Sequence, residues 1–186
     1  MRKVSSRQEF LTVINVHLPL IARAVEIGVL YGDFSNEILR IINPQELTLV
    51  DPYQIGEKKY GDENSLPTAY STEDNYQDLV KRFTPELISG KVRVVRKLST
   101  DAVKDYPNNH FDFIYIDGSH TYEDVKRDLR DWWGKLSEGG VLAGHDYIEA
   151  PDFGVIDAVD EFLDTHYFRM ILFNENGGDW ALKKMY

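Results

Sequence analysis

Short apolar, β-branched runs alternate with amphipathic segments along most of this sequence. ARAVEIG precedes SNEILRII, KVRVVRK precedes STDAVKDY, FDFIYID precedes TYEDVKRDLRDWWGKL, and GGVLAGHD precedes GVIDAVDEFLD. A further run, ELTLVD, leads into a long polar stretch. A run that is apolar at nearly every position predicts a strand covered on both faces. A helical pattern after each strand predicts right-handed crossovers between parallel neighbours. The expectation is an α/β, doubly wound sheet with helices on both faces.

The tail breaks the alternation. YFRMILFN and DWALKKM are joined only by Glu175-Asn176-Gly177-Gly178, turn chemistry with no room for a crossover helix, so the mostly parallel sheet ends in an antiparallel hairpin strand. Tyr122, Val125, Leu129, Trp132, Trp133 and Leu136 recur at three- and four-residue steps and predict one helix over 122–136 with its tryptophans in the core. Residues 1–21 read as an N-terminal helical segment. Residues 52–75, polar and broken by Gly and Pro, read as a candidate lid loop carrying Tyr53, Tyr60 and Tyr70. With no repeat and no linker, residues 1–186 form a single domain.

Composition removes several classes of chemistry. There is no cysteine, so disulfides, thiolate metal sites and a cysteine nucleophile are excluded. Acidic residues outnumber basic ones by 31 to 21, for a formal charge of -10, and no basic stripe offsets it; nucleic acid is therefore not an expected partner. No run is long and apolar enough to span a bilayer and no leader pattern opens the chain, so a cytoplasmic location and no membrane partner are expected.

Open parallel sheets bind ligands beyond the carboxyl ends of their strands, at the point where strand order reverses. The stretch VEIGVLYGDFS, residues 25–35, occupies the first such end. Gly28 and Gly32 would let the backbone turn sharply and approach a ligand. Their spacing departs from G-x-G-x-x-G, and Glu26 at the same mouth would repel a pyrophosphate, so a cationic or hydroxyl-rich ligand is expected instead. The plainer alternative is an ordinary strand turn with a surface glutamate. Asp51, ending LTLVDPY, is placed to accept hydrogen bonds from a ribose diol. Asp117-Gly118-Ser119-His120 and His145-Asp146 end two further strands and open onto this mouth. His120 or His145 could take a proton from an attacking hydroxyl, since an ordinary imidazole titrates close to neutrality. His17, His110 and His166 have no comparable setting.

Taken together, E-x-G-x-x-x-G, the acidic end of the second strand, FDFIYIDGSH, GGVLAGHDY and the terminal hairpin resemble a class I S-adenosylmethionine-dependent methyltransferase. DGSHTYEDVKRDL and GGVLAGHDY are similar to small bacterial enzymes with a methyltransferase-24-type domain, relatives of sugar and macrolide O-methyltransferases. The resemblance runs from about Ala22 to the C-terminus and implies a Rossmann-like, seven-stranded sheet. It implies that Glu26, Gly28, Gly32 and Asp117 lie against S-adenosyl-L-methionine, that Asp51 binds its ribose, and that Ser99 lies near its adenine. It further implies a divalent cation, Mg²⁺ or Mn²⁺, on Asp117, His145 and Asp146, and methylation of a hydroxyl on a small polar acceptor. A non-catalytic nucleoside-binding module and an NAD-dependent oxidoreductase are the alternatives. A homo-oligomer is compatible with the sequence but not required by it.

Overall fold

A computed structural model describes residues 2–18, 22–53, 72–166, 168–174, 176 and 178–185. Among the described residues, eight strands form one sheet. In chain order, β1 (Arg2–Val4) and α1 (Arg7–Asn15) lead into β2 (Arg23–Ile27), α2 (Asp33–Ile41) and β3 (Glu46–Val50). Then follow α3 (Glu73–Arg82), α4 (Thr84–Ser89), β4 (Val92–Val95), α5 (Ser99–Ala102) and a 3-10 turn over Val103–Asp105. The chain continues through β5 (Phe111–Ile116), α6 (Tyr122–Trp133), β6 (Leu136–Gly144), α7 (Val155–Thr165), β7 (Phe168–Asn174) and β8 (Asp179–Lys184).

The strand order is β1-β7-β8-β6-β5-β2-β3-β4. All neighbours run parallel except around β8, which is antiparallel to both β6 and β7. This is the mostly parallel sheet with an antiparallel C-terminal strand that the alternation predicts. Seven of its strands are those expected, and the eighth is β1, lying in the segment expected to be helical from the start. It pairs in parallel with β7, and α1 follows it.

Alternate residues of each strand feed two cores, as a pleated strand covered on both faces requires. Ala24, Leu47, Leu49, Phe113 and Tyr115 pack with Phe10, Leu11 and Ile38 under α1 and α2. Val25, Ile27, Val50 and Ile114 pack with Leu129, Trp132 and Val159 under α6 and α7. Trp132 is fully buried, as its helical spacing predicts.

The helix expected over 122–136 stops at Trp133. The start of β5 captures its exit, with Asn109 N–H donating to Gly134 O (3.0 Å) and Phe111 N–H to Lys135 O (2.9 Å). Leu136 keeps the helical spacing but opens β6 opposite Phe111. Of the candidate lid, residues 54–71 lie outside the described residues, with Tyr60 and Tyr70 among them. Its C-terminal end is helical: Thr72 and Asn75 form a capping box that starts α3. Tyr53 is fully buried, with its hydroxyl donating to Leu30 O at 3.1 Å.

Candidate active site

Strand order reverses between β2 and β5, and at that point backbone bonds carry the ladder past the strand ends. Gly28 N–H donates to Val50 O (2.9 Å), Asp117 N–H to Ile27 O (2.8 Å) and His145 N–H to Ile116 O (3.1 Å). These bonds draw the ends of β2, β3, β5 and β6 into one shelf that carries Glu26, Asp51, Asp117, His145 and Asp146.

Gly28 is required by the protein itself. It lies at φ +83, and a Cβ there would stand 2.1 Å from the Asp117 carbonyl oxygen. Gly32, expected to approach a ligand, starts α2 at φ +73, and its Cβ direction is filled by Leu79 and Phe83. Between them, Val29 and Leu30 donate backbone N–H groups to Asp51 Oδ2 at 2.9 and 3.1 Å, while Tyr53 N–H donates to Oδ1 at 2.9 Å. Asp51 is thus the clamp that shapes this turn as well as an acid at its edge.

Glu26 is 1% exposed and accepts a hydrogen bond from Ser35 Oγ at 2.5 Å. Burial pushes its carboxyl up to about 8, with Asp117 and Asp51 adding to the rise and Ser35 and Arg7 opposing it. Burial likewise raises Asp117 to about 6 against the pull of His145 and Arg7. The shelf therefore holds carboxyls that ionise more readily when a positive ligand sits beside them.

Asp146, at φ +59, joins the two histidines. Its Oδ2 lies 2.9 Å from His120 Nε2 and its Oδ1 3.1 Å from His145 Nδ1. Burial alone would raise Asp146, but the hydrogen bonds from both imidazoles hold it well below the usual carboxylate range. The same bond to Asp146 raises His120. For His145, burial works downward and is outweighed by Asp146 and Asp117, so it too is raised. Among the described residues, the set whose ligand atoms converge for a cation is Asp117, His120 and Asp146, all within 4.8 Å of one another. His120 stands in this set, while His145, the ligand that the resemblance implies, has its Nδ1 3.7 Å from Asp117 Oδ1 and 3.1 Å from Asp146 Oδ1.

Ser99 begins α5, but its hydroxyl turns to α6: it donates to Asp128 Oδ1 (2.5 Å) and accepts from Trp132 Nε1 (2.7 Å). Sequence reasoning missed a second polar group beneath the shelf. Asp179, fully buried, accepts from Tyr115 Oη (2.6 Å), Asn174 Nδ2 (2.7 Å) and Arg7 Nε (3.2 Å). Nothing in their spacing marks these residues, because the cluster gathers one side chain each from α1 and β5 and two from the β7–β8 hairpin.

Residues 25–147 match the sequence profile of a family described as "Methyltransferase domain". The structure superposes on that of the O-methyltransferase NovP with a TM-score of 0.71 at 20% identity, over 97% of this chain and 80% of that one. It superposes on an O-methyltransferase from Bacillus cereus in complex with SAH with a TM-score of 0.63 at 14% identity, over 98% and 82% of the two chains. A curated relative, the uncharacterized protein y4gI of Sinorhizobium fredii, is 39% identical over 64 residues. That match spans 34% of this chain but only 7% of y4gI.

Proposed function

We propose that this chain, which belongs to the methyltransferase-domain family, transfers a methyl group from S-adenosylmethionine to a hydroxyl of a small polar acceptor, such as a sugar or natural product. The donor supplies a methyl group already activated on a sulfonium, so the protein's task is alignment, exclusion of water and removal of one proton. The shelf fits such a ligand by the chemistry of its donor set: a buried carboxyl at Glu26 and a second at Asp117 become anionic next to positive charge.

The observation that carries the hydroxyl reading is the His120–Asp146 pair at 2.9 Å. Nε2 of His120 is held by Asp146, which leaves Nδ1 to take the acceptor's proton, and the neighbouring carboxylate stabilises the imidazolium that results. Phe153 packs against the His120 ring with centroids 4.5 Å apart. It also lines a groove of ≈ 470 Å³ with Ile148, Pro151 and Ile156, a size suited to a small acceptor. His145, sharing Asp146, serves as the alternate base. In the alternative, a divalent cation would be held by Asp117, His120 and Asp146, with His120 a ligand rather than the base, and would make a bound hydroxyl more acidic; two carboxylates and one imidazole suit Mg²⁺ or Mn²⁺.

The test is transfer of labelled methyl from S-adenosylmethionine to a panel of sugars, catechols and simple amines, with the product bond assigned by NMR. Label on oxygen, with turnover cut about 10²–10⁴-fold by His120→Ala, supports the reading. Label on nitrogen only overturns it. EDTA treatment reads the cation separately: lost turnover restored by Mn²⁺ assigns the Asp117 set to a metal, and unchanged turnover leaves proton removal to the imidazoles alone.

A further inference from the structure

We infer that Arg7 receives the α-carboxylate of the donor's methionine end, an assignment that rests on the donor reading above. Arg7 opens α1, outside the alternating strand and helix units, and its side chain crosses to the carboxyl end of β5. Nε donates to Asp179 (3.2 Å), Nη2 donates to Tyr115 Oη (3.3 Å), and Nη2 lies 3.6 Å from Asp117 Oδ2. The guanidinium carbon sits over the Phe34 ring, 4.8 Å from its centroid. These contacts fix the plane of the group, yet 34% of the side chain remains exposed. A guanidinium held in place before binding loses little freedom when an anion docks on it.

Charge on the shelf points the same way. Glu26, Asp51 and Asp117 would all repel the one negative group of a methionine tail while attracting its ammonium and sulfonium. Arg7 is close enough to hold down the carboxyls of Glu26 and Asp117. The other arginines near this edge have duties elsewhere: Arg96 pairs with Glu73 (2.6 Å) and stacks on Tyr76, and Arg82 pairs with Asp33 (2.6 Å). Among the described residues, Arg7 is thus the guanidinium in contact with Asp117, whose backbone lies against Gly28. A zwitterionic tail beside this pair would find carboxylates for its ammonium and sulfonium and this guanidinium for its carboxylate.

The experiment compares S-adenosylhomocysteine with its decarboxylated analogue by isothermal titration. The two ligands differ only in the carboxylate, so a loss of general folding or packing would weaken both. In the wild-type chain the homocysteine form should bind more tightly. Arg7→Met should weaken that form by about 10–100-fold, the worth of a charge-assisted hydrogen bond, and the analogue by less than about threefold. Arg7→Lys should keep part of the preference. Equal losses for the two ligands, or equal wild-type affinities, overturn the assignment and leave Arg7 as a brace for Tyr115 and Asp179. If Arg7→Met lacks a cooperative thermal transition, Arg7→Lys and Arg7→Gln read the same ratio. A wild-type chain that binds neither ligand overturns the donor reading, and this assignment with it.

Discussion

Asp146 governs both imidazoles, so its removal has a signature that loss of a merely structural acid would lack. A base must be neutral to accept a proton, and the bond to Asp146 raises His120 above its ordinary 6.5. Turnover should therefore climb with pH through a limb set above that value. Asp146→Asn removes the principal cause of the rise, so the limb should move to lower pH while the plateau drops, in a pH–rate profile of kcat/KM. Glu26 gives a second pH effect. Its carboxyl is raised from an ordinary 4.5 to about 8 by burial, so the folded chain binds a proton that the unfolded chain releases. Its contribution to stability is full below about 4.5 and is lost as pH rises through about 8. Urea unfolding should show Glu26→Gln removing that decline. Binding of S-adenosylmethionine, by contrast, should strengthen in the wild type as pH rises toward 8, with a proton released to the buffer, because a cation beside Glu26 favours its ionised form.

At the scale of elements, the turn after β2 is where local conformation and site are least separable. Gly28→Ala would place a Cβ against the Asp117 carbonyl at a left-handed φ, and should cost about 2–4 kcal/mol in urea unfolding while abolishing donor binding. The parallel units were legible because each strand is largely apolar and each helix carries its own stripe. So were the strand-end residues, since a parallel sheet delivers them to one edge by topology alone. Three features were not. The strand at Arg2–Val4 is three residues long, too short for any periodicity to register. Leu136 fits the spacing of α6, and only the hydrogen bonds from β5 to Gly134 and Lys135 decide against it. The partners of the Ser99 hydroxyl, Asp128 and Trp132, lie a helix away in sequence, so no local pattern announces them.

For the molecule as a whole, the formal charge of -10 sets what can approach the shelf. Single-stranded RNA should show no saturable binding in fluorescence anisotropy at physiological salt, because the field opposes the phosphate backbone. Among the described residues no helix is long and apolar enough to cross a membrane. The sheet also joins distant parts of the chain. β1 rests on the outer flank of β7, Asn174 at the end of β7 bonds Asp179, and Asp179 holds Arg7, only three residues beyond β1. The outermost strand is therefore a strut whose load is carried inward to the shelf at the sheet's centre. Deleting residues 2–5 should loosen the seat of α1 and weaken S-adenosylhomocysteine binding. An isothermal titration of the shortened chain would measure how far a sheet margin governs affinity at its centre.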